Sequence, residues 1–367
     1  MSFFGEYKAV NELLKQKQQV IFYAESKHYF TYYERLIKDL LATGQVSICY
    51  ITSDAKDPLL EHPLPGMKVI YVKWMLGFLF SRLRTDVMIM TMPDLGNYLF
   101  KRSTGVGCYI YVFHAAVSTH QQYRQEAFFN YDCIFCTGEY QEKEIREAER
   151  IHELKQKDLV HYGYPLFDEM KQRSHEKKSN EKTILVAPSW FEGCIFDTCI
   201  EELIKQLASQ TGKVILRSHP EYEKRKKKEF RNLKKLVSGY PNMAIDEMSS
   251  ILDRLPMVDM LITDRSGIAL EFAFGVGKPV LFIYTKPKQT NPEWRELKLE
   301  PIENAIRGEI GVSLLPSAMQ NLNAAIHELD EMSGGFSSRM EIQEKLLFYN
   351  SEKNYRNGVE YVLDKLK

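Results

Sequence analysis

Short apolar runs alternating with stretches of helical period set the pattern of this chain. Gln19 to Ala24, Val46 to Thr52, Met67 to Val72, Asp86 to Thr91, Cys108 to Phe113, Tyr131 to Cys136 and Leu159 to Tyr162 each read as a buried strand. Asn11 to Gln18 reads as a short polar helix, and Tyr29 to Ala42 as an amphipathic one with Tyr32, Leu36, Leu40 and Leu41 on one face. Strands alternating with helices predict a doubly wound α/β domain. Lys171 to Lys182 is highly charged and has no apolar residue, which predicts a linker. Beyond it the alternation restarts with strands Thr183 to Ala187 and Val214 to Arg217, and helices Thr198 to Gln210 and Tyr222 to Val237.

The clearest unit runs from Met257 to Tyr284. An apolar strand, Met257 to Thr263, meets the polar turn Asp264-Arg265-Ser266-Gly267. A helix, Ile268 to Phe274, follows and carries Glu271. Gly275 and Gly277 end it, and Val280 to Tyr284 is the next strand. Ser317 to Leu329 and Glu341 to Leu366 read as terminal helices. The expected organisation is an α/β domain over 1–170, a linker over 171–182, a second α/β domain over 183–338, and a C-terminal helix in 339–367 that packs back on the first domain.

Composition changes the picture only by exclusion. The 367 residues carry no net charge, which argues against a whole-protein nucleic-acid binder. The first residues do not read as a signal peptide, and no apolar run is as long as a membrane span. The six cysteines therefore read as thiols of a reducing cytoplasm. Cys133 and Cys136 form a CxxC inside a strand-like run, a poor place for redox or metal work. No glycine-rich dinucleotide or Walker phosphate loop is present. No metal and no cofactor are expected.

Candidate chemistry gathers at strand ends, where a parallel sheet offers its ligand crevice. The turn at Asp264 to Gly267 opens a helix whose unpaired N–H groups favour an anion, with the Ser266 hydroxyl beside them; the same turn also reads as an ordinary N-cap. Arg217-Ser218-His219-Pro220 places a cation and a histidine where both can meet a phosphate. His114, at another strand end, suits proton transfer near neutral pH, with His120 a weaker candidate. Ser189 and Trp190 close the first strand of the second domain. Lys73 to Arg84 is apolar and aromatic and ends in arginines. It reads as a helix docked on the sheet or as one that meets a membrane surface through Trp74, Phe78 and Phe80. The basic run Lys224 to Lys228 reads as a solvated helix face, or as an attractor of anionic lipid or polyphosphate.

Together Ala187-Pro188-Ser189-Trp190, Leu216-Arg217-Ser218-His219-Pro220, and Thr263-Asp264-Arg265-Ser266 through Glu271-Phe272 to Lys278-Pro279 resemble the CDP-glycerol glycerophosphotransferase family. In the first domain His114 matches, with the looser segment Asp132 to Glu139. The resemblance implies a GT-B fold, two Rossmann-like domains facing a central cleft, the first binding the acceptor and the second the donor. It implies transfer of a polyol phosphate from a CDP-linked donor to an acceptor hydroxyl, on a lipid-linked or glycan acceptor, in the cytoplasm or on the inner face of the membrane. His114 is then the base and His219 a phosphate-contacting catalytic residue. Arg217, Ser189, Asp264, Arg265, Ser266, Gly267 and Glu271 form the donor site. Two departures stand out: Ala115-Ala116 follow His114 where the family has glycine, and Gly267 stands where it has a second serine. Thr263 to Gly267 with Glu271 is also similar to the nucleotide site of UDP-N-acetylglucosamine 2-epimerases and related glycosyltransferases. A UDP-sugar enzyme and a non-catalytic nucleotide- or glycan-binding protein are therefore the alternative readings.

Overall fold

The computed structural model describes residues 3–97, 100–175, 181–210, 212–248, 250–286 and 290–367. The chain forms two compact units. The first holds Met1–Pro165, Thr290–Leu299 and Leu347–Lys367; the second holds Leu166–Gln289 and Glu300–Leu346.

The first unit is built on strands β1 (Gln18–Ala24), β2 (Ile48–Thr52), β3 (Met67–Tyr71), β4 (Thr85–Met90), β5 (Val106–Val112), β6 (Cys133–Cys136) and β7 (Asp158–His161). They lie in the order β3-β2-β1-β4-β5-β6-β7, and every neighbouring pair is parallel. Burial on both faces explains the near-continuous apolar runs of β1, β2 and β5. The helix Phe30–Ala42 buries Tyr33, Leu36, Ile37 and Leu40. The expected face is thus rotated, because the Tyr33 hydroxyl donates to the Tyr23 carbonyl at 2.7 Å and accepts from the Thr91 N–H at 2.6 Å. Tyr32 is left half-exposed at the sheet's end.

The second unit repeats the plan with β8 (Thr183–Val186), β9 (Lys213–Leu216), β10 (Met243–Ile245), β11 (Met260–Thr263), β12 (Val280–Ile283) and β13 (Gly311–Leu314). The order β10-β9-β8-β11-β12-β13 is again all parallel. Its direction reverses between β8 and β11, the switch point at which doubly wound sheets bind ligands. Ser189 and Asp264 follow these two strands.

Several expected elements are redrawn. β10 and β13 have no counterpart in the sequence reading, being short edge strands. The basic helix is two, Pro220–Arg225 and Lys227–Val237, broken at Lys226. The last expected helix is also two, Phe336–Leu347 and Glu352–Asp364. Ser351 caps the second by accepting from the Asn354 N–H. The first of these belongs to the second unit apart from Leu347, and the second belongs to the first unit. The expected linker begins as the outer turns of a helix, Leu166–His175. Leu166, Phe167 and Met170 are buried, with Phe167 stacked on Phe274, so this helix belongs to the second unit. Residues 176–180 of that expectation lie outside the described residues. Thr290–Leu299 joins the first unit, held there by Asn291 donating to the His120 carbonyl at 2.9 Å.

Candidate functional site

In the second unit the polar turn is built around Asp264. Its side chain is fully buried, and Oδ1 accepts three hydrogen bonds: from Ser189 N–H at 2.8 Å, Ser189 Oγ at 2.6 Å and Arg265 N–H at 2.7 Å. Burial raises the carboxyl above the usual aspartate range, against the opposing bonds from Ser189 and the N–H groups of Arg265 and Ile195. Thr263 Oγ1 donates to the Ala187 carbonyl at 2.7 Å. These bonds tie the end of β11 to the end of β8. Asp264 and Ser189 therefore set the shape of the switch point, and Trp190, Arg265 and Ser266 after them are half-buried.

Ser266 is half-exposed, and its hydroxyl makes no hydrogen bond among the described residues. Gly267 takes ordinary helical angles (φ −58, ψ −21), so its freedom is not used by the backbone. Helical residues run from Ile268 to Leu270 and continue as a π-helical turn over Glu271–Val276, with Glu271 buried. Gly277 ends it at φ 75; Gly275 lies inside it, packed against Met170. Arg265 extends along the Tyr284 ring, its guanidinium carbon 4.6 Å from the ring centre.

His219 caps the helix Pro220–Arg225. Its Nδ1 accepts from the Glu221 N–H at 3.2 Å, so the proton of the neutral ring sits on Nε2. The ring is exposed and lies 6.1 Å from that of Trp190. Arg217 has a partner that the sequence did not reveal. Its Nη1 donates to Asp246 Oδ2 at 2.6 Å and to the Met248 carbonyl at 2.9 Å, while Arg254 takes Asp246 Oδ1 at 2.7 Å. Burial acts to raise Asp246, but the bonds from Arg254, Arg217 and the Met248 N–H prevail and hold it below the usual range. Asp246 follows β10, the unrecognised edge strand, which is why this pair was not legible.

At the strand ends of the first unit stands His114. Its Nδ1 lies 3.1 Å from the Thr91 carbonyl oxygen and 3.4 Å from the Tyr111 hydroxyl. A carbonyl can only accept, so the proton is on Nδ1 and Nε2 carries the lone pair. Tyr29, Tyr32 and Tyr123 surround the ring edge-on at 5.8 to 6.1 Å, and the Tyr164 hydroxyl donates to the His114 carbonyl at 3.2 Å. His120, the weaker candidate, is buried instead. Its Nδ1 lies 3.2 Å from Glu144 Oε1 and its Nε2 3.1 Å from the Leu299 carbonyl.

The aromatic segment splits in two. Trp74 is 74% exposed and Phe78 37%, with the Arg82 guanidinium 4.2 Å over the Phe78 ring. Phe80, expected at the membrane with them, is fully buried, edge-on to Tyr23 and Phe100 at 5.2 Å each. Helix Leu76–Arg82 turns Leu76, Leu79 and Phe80 inward, so helical period, not composition, decides which aromatic rings reach solvent. Cys133 and Cys136 are buried in β6, and burial pushes both thiols well above their ordinary values. No helix among the described residues is long and apolar enough to cross a membrane. Among the same residues, no three His, Cys, Asp or Glu side chains are grouped to hold a metal ion.

Against this geometry the likenesses to known proteins can be set. No curated protein matches the chain by sequence. Three solved structures share the fold. The wall teichoic acid polymerase TagF, soaked with CDPG, superposes with a TM-score of 0.62 at 13% identity, over 98% of this chain and 93% of TagF. S. aureus MnaA with UDP gives 0.61 at 13% identity, over 95% of this chain and 97% of MnaA. UDP-GlcNAc 2-epimerase from Neisseria meningitidis, bound to UDP-GlcNAc, gives 0.55 at 14% identity, over 96% and 99%. Such low identities carry the fold alone, and that fold is GT-B. The sequence model of the CDP-Glycerol:Poly(glycerophosphate) glycerophosphotransferase family matches residues 106–311, more than half of the chain and inclusive of His114, Ser189, His219 and the Asp264 turn. The chain therefore belongs to the CDP-glycerol:poly(glycerophosphate) glycerophosphotransferases, transferases of the GT-B fold.

Proposed function

We propose that this enzyme moves glycerol phosphate from CDP-glycerol to a hydroxyl of a cell-surface polymer or its lipid-linked precursor, with His114 as general base and His219 as a donor to the phosphoryl group. The acceptor oxygen attacks the phosphorus that carries glycerol. The bond from that phosphorus to the bridging oxygen breaks, and CMP leaves. The acceptor proton passes to Nε2 of His114. Charge grows on the phosphoryl oxygens and on CMP, and preorganised donors stabilise it. Nε2–H of His219, the free hydroxyl of Ser266, the guanidinium of Arg265 and the helix beginning after Gly267 supply those donors. Arg217, held by Asp246 and the Met248 carbonyl, adds positive charge at the same end of the sheet.

The opposite proton placement on the two histidines carries this reading. A base needs a lone pair, and a phosphoryl donor needs a proton. The backbone partner of each ring fixes the one that its role requires. Release of CMP from CDP-glycerol, measured with a poly(glycerophosphate) acceptor and with none, tests it. Acceptor-dependent release is expected. Release of UDP from a UDP-sugar, with no CMP from CDP-glycerol, would replace the donor.

Contact with an anionic membrane is part of the same proposal. Trp74 and Phe78 lie beside helix Phe3–Lys15, whose Phe3, Phe4 and Tyr7 are exposed. Buried Glu6 joins the two, its Oε1 accepting from the N–H groups of Lys73 at 2.9 Å and Met75 at 2.6 Å. Exposed aromatic rings beside Lys73, Arg82 and Arg84 suit an interface with anionic headgroups. Co-sedimentation with anionic vesicles at low salt should fail for Trp74→Glu/Phe78→Glu and hold for the parent. A parent enzyme that ignores such vesicles removes the surface from the account.

A further inference from the structure

Two arginine pairs lie near the strand ends of the second sheet, and they are handled differently. Arg217 and Arg254 share the carboxylate of Asp246. Arg265 and Arg307 share no carboxylate: neither makes an ion pair among the described residues. Arg307 precedes β13, in the short helix Arg307–Ile310, and is almost completely buried. Its Nη1 reaches only the Asp264 backbone carbonyl, at 3.4 Å. Its guanidinium lies 4.7 Å over the Phe282 ring and 5.8 Å from that of Tyr284. Arg265 covers the same Tyr284 ring at 4.6 Å, and its Nε is buried with no hydrogen-bond partner.

Two guanidinium groups on one aromatic ring, partly out of water and without a carboxylate, are costly to hold. Burial, and then the charge of Arg265, depress the Arg307 pKa; Tyr284, Glu303 and Asp264 oppose this without overcoming it. The arrangement becomes favourable when an oxyanion enters, because planar guanidinium forks match phosphate oxygens and the like charges then share one counter-ion. Stacking on Phe282 and Tyr284 holds both planes in place beforehand, so little side-chain freedom is lost on binding.

We propose that Arg265 and Arg307 form a paired-guanidinium site at Tyr284 that binds a phosphoryl oxyanion, and that in turnover this oxyanion belongs to the diphosphate of the donor. The first half stands on the geometry alone; the second rests on the donor reading given above. Arg307 is thereby a binding residue of the transferase site, reached from the segment before β13.

The test is calorimetric titration of the full chain and of Arg307→Met and Arg307→Lys with inorganic pyrophosphate and with CDP, alongside melting without ligand. Met keeps the packing on Phe282 and removes the charge. Its affinity for both ligands should fall on the order of ten- to a hundred-fold, the usual worth of a hydrogen bond to a charged group. Lys keeps the charge without the fork and should fall less. Without ligand, Arg307→Met should melt no lower than the parent, because one of two like charges is gone. Should Arg307→Met fail to fold, Arg265→Met is the second route to the same loss. Pyrophosphate binding equal to the parent's, or a lowered melting temperature with full ligand affinity, would make Arg307 a packing residue and overturn the proposal. Loss of pyrophosphate binding with CDP binding kept would overturn its second half. Absence of CDP-glycerol turnover in the parent bears on the donor reading and leaves the pair intact.

Discussion

His114 and His219 each stand just past the C-terminal end of a parallel strand in sheets of the same winding, His114 after β5 and His219 after β9, on opposite sides of the two strand orders. Their surroundings are opposite. Around His114 are tyrosine rings and a backbone carbonyl, and that carbonyl places the proton on Nδ1. His219 lies beside Trp190, whose ring Arg225 covers, and a backbone N–H places the proton on Nε2. One fold plan thus gives two chemical environments, and the difference lies in the loops. A carbonyl from the neighbouring strand end leaves one histidine a lone pair on Nε2. A helix start two residues on leaves the other an N–H there.

Substitution at each histidine separates the two environments. His114→Ala is expected to have the largest effect, lowering turnover by roughly 10²–10⁴-fold, the range of general acid–base catalysis, with affinity for CDP-glycerol nearly kept. Rapid-quench turnover with calorimetric donor binding checks it; parental turnover in the folded variant breaks the comparison at its first member. Asp246→Asn comes next and probes the charged side. Removing one partner of a buried ion pair costs roughly 3 kcal/mol. The folded carboxylate lies below its ordinary range, so the stability it contributes is present above the unfolded pKa and is lost as pH falls through the folded value. Chemical denaturation should therefore show the widest gap from the parent near neutral pH and a closing gap in acid. A gap that persists unchanged in acid would remove the ion pair as its cause.

His219→Ala should weaken donor binding as well as turnover, on the order of tenfold in affinity for one charge-assisted bond. A loss of turnover with binding fully kept would make His219 resemble His114 and erase the distinction. Ser266→Ala is the smallest change. It removes the hydroxyl that we propose donates to the diphosphate, a loss of about 1 kcal/mol in binding, and the fold should be unchanged. Unchanged CDP affinity by calorimetry takes Ser266 out of the site.

How much of this was legible in the sequence follows from where each signal lies. Long apolar runs exposed the buried strands, and the turn after β11 was readable because a strand, a polar turn and a helix follow one another within Met260–Val276. The partners that finish the site come from distant, weakly patterned segments. Asp246 follows a short edge strand, and Arg307 sits on a one-turn helix before another. Neither edge strand has enough apolar residues to stand out, so the carboxylate that pairs Arg217 and the arginine that joins Arg265 were both out of reach. Thr290–Leu299 was assigned to the second domain because its contacts, through Asn291 and Leu299 to His120, span some 170 positions of sequence. Phe80 shows the same limit at short range: composition grouped it with Trp74 and Phe78, and helical phase buried it.

The tautomers themselves can be measured. Ring-nitrogen NMR on protein labelled at histidine, with His114→Ala and His219→Ala spectra as assignments, reports which nitrogen of each ring is protonated. At a pH above the ordinary histidine range, His114 should carry its proton on Nδ1 and His219 on Nε2. The same nitrogen protonated in both rings would contradict the division of labour on which this account depends.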